Sequence, residues 1–332
     1  MRRAIVIGTG RYLPDNRMTN DDMAKLVETN DEWISSRTGI KERRISTGES
    51  TSDLAYRAAV NALRNAKLNA EELDLIICAT ISPDSFMPSV ACMVQNSLGA
   101  KRAAAFDLTA ACTGLIYAMA VAAAFIKSGM YRNALVIGAE TLSKTLDWSD
   151  RSTCVLFGDG AGAMVLSAVE QEDGRTGGIM AMSLASDGSK GEHLCLPAIP
   201  LSNPFVKPEE NGAKPTITMN GQEVFKFAVR SITDLVKKVL AETELTHQDI
   251  KYIVPHQANQ RIIEQAAKSL GIEFEKFYCN IERYANTSAA TIGIALDEMV
   301  QKDMLKPGDR IILVGFGGGM TSGAILVEWA SQ

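Results

Sequence analysis

The sequence predicts an α/β protein built from two similar halves packed together, and three observations carry that prediction. Segments rich in β-branched residues alternate with helical patterns along the chain. The stretches Asn61 to Cys78 (NALRNAKLNAEELDLIIC) and Lys238 to Pro255 (KVLAETELTHQDIKYIVP) run through the same order of helix end, leucine, acidic turn and strand. Leu68 matches Leu245 and Leu73 matches Ile250 at a constant offset of 177, which also carries Gly138 onto Gly315 and Cys112 into Asn286-Thr287-Ser288-Ala289-Ala290. One offset shared by separate elements implies duplication, with residues 1–170 as the first half and 171–332 as the second.

The 332 residues are 46% hydrophobic with a mean hydropathy of +0.01, enough to bury one large core or two medium ones. The opening Met1-Arg2-Arg3-Ala4-Ile5-Val6-Ile7-Gly8 is too short in apolar residues for a secretory signal and reads as a first strand over Ala4 to Ile7. Leu75 to Cys78 and Ala134 to Ile137 read as further strands of the first half, Tyr252 to Val254 and Arg310 to Val314 as strands of the second. Leu115 to Ile126 is an apolar run of 12 residues and reads as a core helix. A membrane span needs roughly 20, so no membrane segment is expected. Glu170 to Thr216, rich in Gly, Pro, Ser and Asn, reads as a connection without a repeat counterpart whose loops shape substrate access.

Six cysteines without C-x-x-C pairs and three histidines (His193, His247, His256) argue against a disulfide framework and a zinc site, and fit a reducing cytoplasm. A net charge of −5 without a basic block excludes a generic nucleic-acid binder.

Within this frame Cys112 is the best nucleophile candidate. Ala110-Ala111-Cys112-Thr113-Gly114 stands directly before the apolar helix, where the unpaired N–H groups of a first turn favour thiolate over thiol. A free cysteine is more often a small buried hydrophobe, and Cys78, Cys92, Cys154, Cys195 and Cys279 take that reading. His256, in Val254-Pro255-His256-Gln257-Ala258-Asn259, follows the strand that mirrors Leu75 to Cys78, at the end where α/β sheets bind ligands. Asn286 opens the helix equivalent to that of Cys112. An N-cap is its commoner role, but its carboxamide can also donate to a developing oxyanion. Gly315-Phe316-Gly317-Gly318-Gly319-Met320-Thr321 reads either as a bare tight turn or as backbone N–H groups free for an oxyanion hole. Gly158-Asp159-Gly160-Ala161-Gly162-Ala163 matches a dinucleotide fingerprint in form, yet it leads into Met164-Val165-Leu166, a strand rather than a helix. Gly8-Thr9-Gly10 lacks the third glycine.

Together these residues resemble the thiolase-fold condensing enzymes, and within them the β-ketoacyl-[acyl carrier protein] synthase III family. The resemblance runs the whole length. It adds Asp31-Glu32-Trp33-Ile34 with Arg37-Thr38-Gly39-Ile40, and Phe157-Gly158-Asp159-Gly160-Ala161-Gly162, to the motifs around Cys112, His256, Asn286 and Gly315. It implies a thiolase-like fold of five layers, α-β-α-β-α, and a homodimer. It also implies a catalytic set of Cys112, His256 and Asn286, with the backbone N–H groups of Cys112 and Gly318 as oxyanion donors. Trp33 and Arg151 then resemble the pair that sandwiches the adenine of coenzyme A, with Arg37 near its phosphates and Asn259 along the pantetheine arm. Arg261 and Lys268, joined by Lys226, fall where an acidic carrier protein docks, and Met87, Leu142 and Phe225 line the acyl pocket. Three positions depart from the family pattern: Ala285 for Gly, Ser322 for Trp, and Met87 for a Phe that reaches the partner's acyl pocket. A flexible Met there leaves primer length open.

The chemistry so implied is a two-stage condensation. Cys112 takes an acyl group from acyl-CoA. His256 and Asn286 then stabilise the enolate formed when a malonyl-carrier thioester loses carbon dioxide, and that carbon attacks the acyl-Cys112. His256 must then donate from its reactive nitrogen, which requires a partner that fixes its tautomer. The reaction needs neither a metal nor a redox cofactor, coenzyme A thioesters being substrates. Other readings are a thiol hydrolase that splits the acyl-enzyme with water, and a condensing enzyme of a specialised pathway with another primer or with malonyl-CoA. Basic residues after His256 favour the carrier.

Overall fold

The computed structural model describes residues 2–170, 177–206 and 215–330. The first half runs β1 (Arg3–Tyr12), β2 (Arg17–Thr19), α1 (Asn20–Met23), α2 (Asp31–Thr38), β3 (Glu42–Arg44), α3 (Thr51–Ala66), β4 (Leu75–Ala79), α4 (Val90–Leu98), β5 (Ala104–Leu108), α5 (Gly114–Lys127), β6 (Asn133–Glu140) and β7 (Gly160–Val169). The second runs β8 (Gly178–Ser186), β9 (Leu194–Cys195), β10 (Thr218–Met219), α6 (Gly221–Ala241), β11 (Tyr252–Pro255), α7 (Gln260–Leu270), α8 (Ile281–Tyr284), α9 (Thr291–Gln301), β12 (Arg310–Gly317) and β13 (Thr321–Glu328).

Two sheets follow from these strands. One has the order β1-β7-β6-β4-β5, the other β11-β12-β13-β8. β4 pairs in parallel with β6 and β5, and β11 pairs in parallel with β12, while β7 and β13 return antiparallel. Three apolar clusters separate the layers. α3 and α4 cover one sheet through Leu54, Ala58 and Val94, and α6 and α7 cover the other through Ile232, Val236 and Ile263. Between the sheets lie α5 and α9, packed through Leu115, Met119, Ile292 and Leu296. An α5 apolar on nearly every face fits only such a central layer, where both sides meet a sheet. The result is the five-layered α-β-α-β-α arrangement.

The duplication is visible to the residue. Short 3₁₀ turns at Ala70–Glu72 and His247–Asp249, the starts of β4 and β11, the 3₁₀ turns Ala111–Thr113 and Ser288–Ala290, the starts of α5 and α9, and both ends of β6 and β12 are all 177 apart. Even the backbone strain is repeated: Ala111 (φ 46°) and its equivalent Ser288 (φ 48°) both sit in the left-handed region that non-glycine residues avoid. Two glycines allow these turns to come together. A Cβ on Gly138 of β6 would lie 2.2 Å from the Ala289 carbonyl oxygen, and one on Gly317 of β12 would lie 2.7 Å from the Cys112 nitrogen.

Several strands were not foreseen in the sequence, β13 among them. The stretch Glu170 to Thr216, of which 171–176 and 207–214 lie outside the described residues, is not all connection. It contains β8, which pairs with β13 and occupies the place in its sheet that β1 holds in the other. Its alternation is written in Ala and Met rather than in β-branched residues, which hides it from a propensity reading. The short β5 was also not foreseen. Its counterpart in the second half shrinks to a single parallel bridge between Ile253 and Phe277.

Candidate active site

The strained turn at Ala111 lifts Cys112 out of the line of β5 and sets it before the first turn of α5. The residue is 6% exposed and lines a cavity of about 950 Å³ together with Leu142, Phe157, Ser288, Gly318 and Thr321. That volume suits a drug-sized ligand. Burial pushes the Cys112 thiol up to about 12, against the pull of the Ser288 side chain and of the N–H groups of Cys112 and Gly318, while the nearby Glu140 pushes it further up. Burial and the helix N-terminus thus act on this sulfur in opposite directions. The two backbone N–H groups proposed as oxyanion donors do flank the sulfur.

His256 continues from β11, and its N–H donates to the Val314 carbonyl at 2.8 Å, so β12 fixes its backbone. The ring is 1% exposed, meets the Phe316 ring edge-on at 5.1 Å, and places Nδ1 2.7 Å from Thr291 Oγ1. Burial lowers its pKa to about 3, so the imidazole is neutral at physiological pH.

Asn286 is tied by its main chain to Leu156 and Gly158, bridging Phe157. It does not cap α9. Its Oδ1 accepts the Ser288 N–H at 2.8 Å, a local turn that uses the acceptor end of the amide. The donor end, Nδ2, makes no hydrogen bond within the described residues and is left to donate. Ser288 is thus the hub of the site. Its N–H holds Asn286, its carbonyl oxygen accepts the Thr291 N–H and lies 3.0 Å from the Thr291 hydroxyl, and its buried Oγ has no hydrogen bond of regular geometry. That hydroxyl sits against both the Cys112 thiol and the Glu140 carboxyl and favours the charged form of each.

Sequence reasoning missed four members of this cluster: Glu140, Ser288, Thr291 and Phe316. Glu140 is wholly buried at the end of β6, accepting from Ser82 Oγ at 2.5 Å and from the Ile81 and Ser82 N–H groups at 3.1 Å. Burial raises it to about 7. A lone acid closing an otherwise apolar strand was the available signal.

The remaining candidates divide. Arg37 and Arg151 both stack on the Trp33 ring, at 4.8 and 5.2 Å, and Arg151 donates to the Glu28 carbonyl at 2.7 Å. Asn259 caps α7, its Oδ1 accepting the Arg261 N–H, while its Nδ2 donates to the Arg37 carbonyl at 3.0 Å. Each end of that amide uses one of its two hydrogen-bonding positions, so Asn259 joins α7 to α2 and keeps one donor and one acceptor position. Arg261 and Lys268 are exposed one above the other on α7. Lys226 is on α6, ion-paired with Glu223 at 2.7 Å, and lines a separate pocket of about 510 Å³. Leu142 does line the Cys112 cavity. Phe225 does not: it packs with the apolar face of α6 against the outer core of the second half. Met87 is 86% exposed and outside this chain's cavity, whereas its neighbour Phe86 lines it.

Among the other cysteines, Cys92 and Cys195 are exposed, not buried hydrophobes as expected. The segment Gly158 to Ala163 enters β7, so no phosphate loop forms there. No group of His, Cys, Asp or Glu suited to a metal occurs among the described residues, and none of their helices is long and apolar enough to cross a membrane.

Comparison with known proteins places this geometry. Residues 106–188 match the family described as 3-oxoacyl-[acyl-carrier-protein (ACP)] synthase III, and residues 240–329 match that family's C-terminal part. A β-ketoacyl-[acyl-carrier-protein] synthase III of Clostridium novyi is 56% identical over 97% of both chains, and one of Clostridium acetobutylicum is 55% identical over 99% of both. The crystal structure of 3-oxoacyl-[acyl-carrier-protein] synthase III from Aquifex aeolicus is 47% identical and superposes with a TM-score of 0.89 over 98% of this chain and 100% of that one. The fold is accordingly the thiolase-like one, and with full-length identity at this level the chain belongs to the β-ketoacyl-[acyl carrier protein] synthase III family.

Proposed function

We propose that Cys112, His256 and Asn286 carry out the condensation of this family, in which an acyl group from acyl-CoA is joined to malonyl-[acyl carrier protein] with loss of carbon dioxide, initiating fatty-acid synthesis. The observation that supports this most is the cluster around Ser288. It gathers a thiol from residues 1–170 and two neutral hydrogen-bonding side chains from residues 171–332 at one buried point.

In the first stage the Cys112 sulfur attacks the thioester carbon while its proton departs, the oxyanion rests on the N–H groups of Cys112 and Gly318, and coenzyme A leaves as the thiol. In the second, the malonyl thioester oxygen accepts from Asn286 Nδ2 and His256 Nε2. The carbon–carboxylate bond breaks, its electron pair forms the enolate, and the enolate carbon attacks acyl-Cys112 to expel the thiolate. Neutral donors suit this step, because they stabilise the enolate without being titrated by it. Trp33, Arg37 and Arg151 form the entrance for the coenzyme A nucleotide, with the two guanidiniums already resting on the indole. Arg261 and Lys268 offer the exposed cations for an acidic carrier.

The dimer reading is supported by β5, an edge strand with one neighbour, where Phe106 is 36% exposed, and by the exposure of Phe86 at 74% and Met87 at 86%. An apolar edge of this kind is covered by pairing with a second copy. We place the enzyme in the cytoplasm, with no resident cofactor.

The primer is acetyl or another short chain. The test offers acetyl-, butyryl-, isobutyryl-, hexanoyl- and octanoyl-CoA together and resolves the acyl-enzyme by mass. One methylene beyond the pocket costs about 1 to 3 kcal/mol, enough for a clear preference. Met87 swings aside where Phe cannot, so a tail toward four to six carbons is expected and Met87→Phe should trim it. Dominant octanoyl labelling would refute the short-chain assignment.

A further inference from the structure

We propose that Thr291 is the positioning residue that keeps the proton of His256 on Nε2, by donating its own hydroxyl proton to Nδ1. The inference rests on the reading above that His256 donates to the enolate. A neutral imidazole carries one proton. If Nε2 holds it, Nδ1 is a buried lone pair that needs a donor, since an unpaired polar atom at this depth costs about 1–3 kcal/mol. Thr291 Oγ1, at 2.7 Å, is the hydrogen-bond partner Nδ1 has among the described residues.

The hydroxyl has a competing acceptor. Thr291 Oγ1 lies 3.0 Å from the Ser288 carbonyl oxygen, and a proton sent there would turn the hydroxyl into an acceptor and draw the histidine proton to Nδ1. That tautomer presents a bare Nε2, which repels an enolate oxygen. What frees the hydroxyl is the backbone. The Ser288 carbonyl already accepts the N–H of Thr291 itself, in the 3₁₀ turn before α9, so it stays satisfied when the side chain turns away. The duplicated turn that sets Cys112 in the first half therefore supplies, in the second, a carbonyl that does not need the hydroxyl. Phe316, edge-on to the ring at 5.1 Å, opposes a ring flip that would exchange the two nitrogens.

Nitrogen-15 spectra of histidine-labelled enzyme, assigned through His256→Ala, read the tautomer directly. A pyridine-like Nδ1 and a protonated Nε2 are expected in the wild type. A protonated Nδ1 would overturn the inference. In parallel, Thr291→Val keeps the shape and removes the donor. It should slow carbon dioxide release from malonyl-carrier roughly 10- to 100-fold, the usual loss when the partner orienting a functional imidazole is removed. Acylation of Cys112 by acetyl-CoA and the KM for malonyl-carrier should stay within about twofold, and Thr291→Ser should restore most of the rate. A merely structural role would impair both half-reactions together and would not separate Val from Ser in this way. If His256→Ala is impaired in decarboxylation and Thr291→Val is not, this inference falls alone. If His256→Ala decarboxylates normally, the role given to His256 falls and takes this one with it.

Discussion

Asn286 offers the sharpest test of the enolate site, because its two amide ends do separable things. Oδ1 holds the Ser288 N–H at 2.8 Å, and Nδ2 is unengaged among the described residues. Asn286→Asp retains an oxygen for Ser288 and so keeps the turn, but replaces the donor by an acceptor in a side chain only 6% exposed. Losing one preorganised donor to a developing oxyanion typically costs about 2.7–4 kcal/mol, or 10²- to 10³-fold in rate. The aspartate adds repulsion, so the loss should reach the upper end of that range. Asn286→Ala should lose a similar amount of activity and, by leaving the Ser288 N–H buried and unpaired, a further 1–3 kcal/mol or so of stability. The assay counts carbon dioxide released from carboxyl-labelled malonyl-carrier, with acetylation of Cys112 followed separately by intact mass. Decarboxylation by Asn286→Asp within threefold of wild type, or equal loss in both half-reactions, would refute the reasoning.

Cys112→Ser should form no acyl adduct, since a serine hydroxyl gives up its proton less readily than a thiol and is a weaker nucleophile. In the wild type one acetyl per chain should map to Cys112, and an adduct on exposed Cys92 or Cys195 would sink the assignment. Arg261→Glu with Lys268→Glu should weaken use of malonyl-carrier far more than self-acylation, and added salt should mimic the pair; equal loss would point to misfolding or to coenzyme A binding. Glu140, raised by burial from 4.5 to about 7, binds its proton more tightly folded than unfolded. Its contribution to stability is thus full below about pH 4.5 and is lost as pH rises through 7, amounting to about 3 kcal/mol across that window. Glu140→Gln should flatten the stability-versus-pH curve between pH 4.5 and 7 in urea titrations, and an unchanged slope would show that the carboxyl is not desolvated as described.

Much of this protein was legible before any coordinates. The offset of 177 located β4, β11, β6, β12 and both helix starts because those segments carry regular apolar periodicity and few insertions. β8 and β5 escaped, one spelled in alanine and methionine, the other a short exposed edge. Within the site, sequence singles out residues whose chemistry is conspicuous, a thiol before a helix or a histidine after a strand. It is nearly silent on Ser288 and Thr291, whose importance comes from where a carbonyl and a hydroxyl meet in space. It is also silent on how deeply Cys112 is buried. Helix placement is written locally, whereas desolvation is a sum over neighbours from both halves of the chain.

The twin turns at Ala111 and Ser288 bear on how such a catalyst came to be directional. Two identical half-chains would carry the same side chain at the positions now held by Cys112 and Ala289, and a substrate could then meet either turn equally. Keeping sulfur at one position and a methyl group at the other breaks that equivalence. The backbone still records the symmetry, down to a few degrees of φ. In the condensation proposed above the polarity is single, with the electrophile held by one half and the nucleophile formed against the other.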